Sequence, residues 1–212
     1  LSGMNLIVND YDHPLIIKVA SIPQIRIQVY FIDNEEYFKK KFLFKDASGK
    51  YFKDNDERSM FFCRGVLETV KKLGWMPDIV HCHGWMTALM PVYLKSVYSN
   101  DPHFSGAKVI YSIYNRDETI KFSKNLEEKL EFDNIPVSEL GIKGSIGVKK
   151  LHEIGIQWSD AVGFCDYKID DLLKELVKSL RKPLLEHQQE EKTIEAHQDF
   201  YDKVLSENGV LA

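Results

Sequence analysis

Two short runs of apolar and β-branched side chains, residues 79–82 and 109–113, stop abruptly at polar residues, and residues 87–98 between them carry apolar side chains at helical spacing. Strands buried on both faces and joined by a helix belong to a parallel sheet with a right-handed crossover. In such open α/β sheets, ligands sit in the crevice beyond the carboxyl ends of the strands. His81, His83, Gly84, Trp85 and Thr87 at the end of the first run fall there, and Asn115 at the end of the second belongs in the same crevice. Only one of His81 and His83 is expected to face it. A strand-end histidine is more often a satisfied hydrogen-bonding group than a ligand, which weighs against reading both as functional.

The flanking segments support the same class. Residues 15–19 and 25–33 are β-rich and surround Ser21-Ile22-Pro23-Gln24, so they are expected to form a hairpin or two adjacent strands, the second entering the sheet interior. Residues 38–52 have the composition of a solvated, turn-containing loop, with Lys39, Lys40 and Lys41 as a wet face. Asp54 is placed to cap a helix over 56–73, with Glu57 at N3 and Gly74 as the stop, leaving Arg58 and Arg64 for solvent or a ligand. Residues 116–134 are expected to be a peripheral insertion containing a helix at 123–130. Residues 138–147 contain glycines but match no phosphate-binding spacing, so a flexible surface turn is expected. Helices at 148–157 and 170–180 bracket a buried strand at 159–164, and an amphipathic tail at 190–205 aligns Ile194, His197, Tyr201 and Val204. The fold class expected is α/β, a doubly wound, mostly parallel sheet in one domain over residues 1–212. The chain opens without a Met, and without the strand and glycine-rich turn that usually begin such a domain, so preceding sequence is expected.

Composition removes several functions. A chain of 212 residues with 44% hydrophobic residues can bury one substantial core, and a net charge of −4 without like-charge blocks gives no footprint for nucleic acid or a membrane surface. Cys63, Cys82 and Cys165 are widely spaced and form no CxxC pair, which fits reduced thiols and a cytoplasmic chain without a metal site. No cofactor is expected. No nucleophile stands beside a base, so the residues by themselves leave the reaction open.

A resemblance carries the reading further. Tyr30-Phe31-Ile32-Asp33-Asn34-Glu35-Glu36-Tyr37-Phe38, then Asp54-Asn55-Asp56-Glu57-Arg58 with Phe61-Phe62 and Arg64-Gly65-Val66-Leu67-Glu68, resemble bacterial glycogen synthases and plant starch synthases. His81-Cys82-His83-Gly84-Trp85-Met86-Thr87 is similar to that family's His-x-His-Asp-Trp-His-Thr, and Ser112-Ile113-Tyr114-Asn115 to its Thr-Ile-His-Asn. The resemblance implies one Rossmann-like half of a GT-B glycosyltransferase that moves glucose from ADP-glucose to an α-1,4-glucan. It implies substrate contacts from His81, His83, Gly84, Trp85, Thr87, Asn115 and Asp54, and a donor-binding partner domain. Gly84 replaces the family Asp, Met86 replaces the His that contacts donor glucose, and Tyr114 replaces another His. The family's Lys-x-Gly-Gly-Leu loop and second domain have no counterpart in this sequence. Because methionine cannot carry a proton, the catalytic group is left unassigned, and an inactive glucan- or protein-binding module is the alternative.

Overall fold

The computed structural model describes residues 3–115 and 119–206. It begins with β1 (Met4–Val8), β2 (Tyr11–Ile22) and β3 (Ile27–Asp33), an antiparallel sheet in that order, with Leu6 opposite His13 and Ile17 opposite Ile32. Asn9 and Asp10 turn the first hairpin at φ 50° and 70°, values that asparagine and aspartate tolerate better than most residues. Leu6, Val8, Leu15 and Ile17 alternate inward, as the two-residue period of a strand requires. The hairpin of β2 and β3 is present as expected, but β3 does not enter a sheet interior. It is an outer strand of this antiparallel sheet, with Phe31 half exposed, because its apolar alternation reflects packing on one face.

A short helix α1 (Glu35–Phe38) follows, capped by Asn34, whose Oδ1 accepts the Tyr37 N–H at 3.0 Å. Helix α2 (Asn55–Lys72) then packs directly on the antiparallel sheet: a Cβ on Gly65 would lie 2.9 Å from Ile32 Cγ2. Gly74 ends the helix at φ 68°. Asp54 stands at the N-cap position without capping; its carboxylate instead pairs with Lys40 at 2.7 Å. Neither arginine of α2 is left for solvent. Arg58 is buried, donating from Nε to Tyr37 O at 2.9 Å and from Nη1 to Asn55 Oδ1 at 2.6 Å, while Arg64 Nη1 meets Asp133 Oδ1 at 2.8 Å.

The second sheet is parallel, with β4 (Ile79–His83), β5 (Lys108–Ile113), β6 (Ala161–Phe164) and β7 (Leu184–Leu185) side by side in chain order. Its connections hold α3 (Met90–Lys95), α4 (Leu126–Phe132), α5 (Val137–Leu140), α6 (Val148–Trp158) and α7 (Asp171–Ser179), and α8 (Thr193–Ser206) follows β7. The strands alternate between two cores. Val109, Tyr111, Ile113, Val162 and Phe164 join the main core, and Ile110 and Ala161 point the other way, to Phe200 and Val204 of α8. Helices thus cover both faces of the parallel sheet. On the main-core face α6 touches β5 so closely that a Cβ on Gly155 would lie 2.6 Å from the Tyr111 ring.

Three further expectations are corrected. Of the segment 116–134 thought peripheral, 116–118 lie outside the described residues and the rest joins the core: Leu126 and Leu130 are buried, and Lys129 Nζ bridges Asp56 at 2.7 Å and Glu57 at 2.8 Å. Its charged composition reads as surface only when the buried partners on α2 are unknown. Residues 138–147 are ordered by the buried side chains Leu140, Ile142 and Ile146, with Gly141 and Gly144 supplying positive φ between them. In the tail, Ile194 of the expected stripe is 82% exposed and Phe200, which is not in it, is buried with Val204, because α8 makes its apolar contact through its second half.

Candidate functional site

The crevice forms where β4 and β5 end. The chain leaves β4 through Gly84 at φ 74°, and the Gly84 N–H donates to Ser112 O at 2.9 Å, which pins the turn to β5. Thr87 Oγ1 donates back to Gly84 O at 2.9 Å and closes it. The turn presents Trp85 and Met86 beside His83 and Tyr114, and with Phe44 and His152 they line a cavity of about 270 Å³. A second cavity of about 370 Å³ adjoins it and contains Asn115, Thr119, Lys149 and Asp170. Tyr114, Val148 and His152 are shared by the two. A third groove, holding Phe38, Lys41, Arg58 and Thr87, meets the first at Phe44, His83 and Met86.

His81 and His83 lie on the same side of β4, with ring centroids 4.1 Å apart, so they do not point to opposite faces, yet of the two only His83 lines the cavity. Side chains two residues apart on a strand share a face. The two nonetheless differ in what they can do. His81 uses both nitrogens, Nδ1 with the Tyr201 hydroxyl and Nε2 with the Ser112 hydroxyl, each at 2.7 Å. Burial, reinforced by His83 and His197, lowers its pKa to about 3, so it is a neutral, fully engaged group of the fold. His83 Nδ1 sits 2.9 Å from the Tyr114 hydroxyl, its pKa lowered by burial and then by His197, and its ring borders the cavity.

His152 escaped the sequence reading. It lies within the helical period of α6, is buried, and pairs through Nδ1 with the Tyr111 hydroxyl at 2.7 Å; burial lowers its pKa to about 4. A histidine among apolar helix positions is the signal that was available. Around the first cavity, then, stand two neutral imidazoles each coupled to a tyrosine, with Phe44, Trp85, Met86 and Val148 as an apolar wall. Such a surface suits a neutral polyhydroxy ligand, which offers hydroxyls to the polar atoms and C–H groups to the apolar side chains.

The remaining expected residues divide. Trp85 lines the cavity but is only 5% exposed, clamped by Phe44 at 4.7 Å and Phe122 at 5.4 Å, and its buried indole nitrogen has no hydrogen-bond partner among the described residues. Stacking of Trp85 or the equally buried Tyr37 on a sugar ring is therefore not available. Asn115 does adjoin the crevice, its backbone N–H donating to Asp166 Oδ2 at 2.5 Å. Asp54 lines none of these cavities and serves the loop through Lys40. Among the described residues no group of His, Cys, Asp or Glu is placed to hold a metal ion, and no helix is long and apolar enough to cross a membrane.

Residues 3–177 match the family model described as the starch synthase catalytic domain. The chain belongs to this family. Among its curated relatives, the glycogen synthase of Chlorobium limicola is 43% identical over 116 residues, which are 54% of this chain and 24% of that protein. The glycogen synthase of Elusimicrobium minutum is 43% identical over 102 residues, 47% of this chain and 21% of the relative. The chain thus spans about a quarter of the length of the curated relatives it matches. The catalytic domain of starch synthase IV from Arabidopsis thaliana, solved bound to ADP and acarbose, superposes with a TM-score of 0.61 at 17% identity, over 87% of this chain and 39% of that one. That likeness shows the fold, a Rossmann-like half of a GT-B glycosyltransferase. The starch synthase match stops within α7, so β7 and α8 lie beyond it.

Proposed function

We propose that the crevice at the ends of β4 and β5 is the glucan side of a glycogen- or starch-synthase-type transfer site, in which glucose passes from a nucleotide sugar, ADP-glucose, to an α-1,4-glucan. The observation that carries this reading is the convergence of His83, Met86 and Tyr114, all from family-like motifs, on one cavity with a largely apolar wall. Transfer needs positive charge or oriented donors at the leaving diphosphate. The first cavity is lined by no lysine or arginine among the described residues, and Lys149 of the second pairs with Asp170 at 3.1 Å. In the adjoining groove Arg58 is held by Tyr37 O and Asn55 and Lys40 by Asp54, which leaves Lys41, too little to clamp a diphosphate alone; the phosphate clamp comes from a donor-binding half, and the chain by itself binds glucan but transfers glucose slowly.

Met86 favours the alternative of a non-catalytic glucan-binding module, since a thioether stands where the family has an imidazole. Labelled ADP-glucose and glycogen, given to the chain, separate the readings. Slow incorporation that rises when Met86 is changed to His supports a transfer site. Glucan binding with no incorporation in either form supports the module, and turnover near ~1 s⁻¹, within the ordinary enzyme range, shows that the chain needs no second half.

A further inference from the structure

Helix α8 has a small apolar footing and a polar seam. Of its side chains only Phe200 and Val204 are buried, against Ile110 and Ala161, and Ile79, Leu185 and Tyr201 pack at the margin. The seam consists of imidazoles. His81 on β4 meets Tyr201 of α8 through Nδ1, stacks on His83 at 4.1 Å, and lies 6.1 Å from the ring of His197, also of α8. The neighbouring elements add Ser112 of β5, Tyr114 after it, Cys165 after β6, and Glu186 and His187 after β7; all five share a cavity of about 290 Å³ with His83 and His197.

We propose that α8 is an acid-released strap: proton uptake by His81 and His83, which lie against His197 and Tyr201 of α8, undocks it from the sheet. The hydrogen bonds of His81 do not prevent this, since the hydroxyls of Tyr201 and Ser112 can accept from an imidazolium as well as from a neutral ring. What opposes the proton in the docked state is burial together with the two neighbouring imidazoles; undocking removes the cover of α8 and the His197 ring, while His83 stays beside His81 on β4. The sign follows from linkage. His81 has its pKa lowered to about 3 when docked, against an ordinary value of about 6.5 in water, so the undocked state binds more protons below about 6.5. Docking is complete above that pH and is lost progressively as pH falls toward about 3. Glu186 is the carboxylate on the wall of the shared cavity, and its charge works against release. The proposal is independent of the reaction assigned to the crevice.

Amide hydrogen exchange on the 212-residue chain, corrected for intrinsic rates, tests it. Between pH 7.5 and 5.5 the protection of residues 193–206 should fall severalfold relative to α2, up to the roughly 10-fold effect of one histidine fully released from burial. The ring signals of His81, followed by NMR in the same samples, should titrate together with that loss. His197→Gln, which leaves the bond between His81 and Tyr201 in place, should reduce the fall. Protection that changes equally in α8 and α2, ring titration that does not track it, or an undiminished fall in His197→Gln would each overturn the proposal.

Discussion

The Tyr114 hydroxyl lies 2.9 Å from His83 Nδ1, and this pair joins the ends of two adjacent parallel strands at the wall of the central cavity. It fixes one imidazole nitrogen and leaves the orientation of the ring defined, as a binding group requires. Tyr114→Phe keeps the ring and removes the bond. Glucan affinity should fall about fivefold, the equivalent of one hydrogen bond worth ~1 kcal/mol, with little change in melting temperature. Calorimetric titration with a maltooligosaccharide checks it, and unchanged affinity would take His83 and Tyr114 out of the site.

Capping gives a second prediction, because two candidate caps behave differently. Asn34 is buried, accepts the Tyr37 N–H, and donates from Nδ2 to Pro14 O at 3.0 Å, so Asn34→Ala should cost about 1–2 kcal/mol. Asp54 makes only a partly exposed ion pair with Lys40, so Asp54→Ala should cost less than about 1 kcal/mol. Denaturant midpoints for the two variants decide it. Equal losses would restore a capping role to Asp54.

The pH dependence of stability should reflect His152. Its pKa is lowered to about 4 in the folded chain by burial, against an ordinary value of about 6.5, so the unfolded chain takes up protons first on acidification. Stability from this group is complete above about 6.5 and is lost as pH falls toward about 4. His152→Phe should flatten that part of the curve, removing a pH-dependent loss on the order of 3 kcal/mol. Guanidinium unfolding at a series of pH values measures this directly, and an unchanged slope would show that His152 titrates alike in both states.

The parallel sheet was legible because residues 109–113 are buried on both faces and residues 79–82 are at least partly covered on both, and continuous apolar runs that end in polar residues are how such strands appear in a sequence. The hairpin of β1 and β2 was not, since Asn5, Asp12 and Pro14 dilute its pattern and the alternation emerges only with the register in hand. Asp54 was misjudged because capping rules look forward along the chain, whereas its partner Lys40 stands behind it on a loop. The same limit hid the partners of Arg64 and Lys129, which meet carboxylates far away in sequence. At the site, the motif-bearing turn was visible, but the burial of Trp85 under Phe44 and Phe122 was not, because both rings arrive from segments read as loops.

The central claim is that glucan binds in the crevice where β4 and β5 end. Its most direct test is an NMR titration of the chain with a maltooligosaccharide, following backbone amides and the methyl of Met86. Shifts should cluster at His83, Met86, Tyr114 and Asn115 and should weaken in Tyr114→Phe. Shifts confined to the antiparallel sheet of β1, β2 and β3, or no shifts at millimolar ligand, would contradict the account.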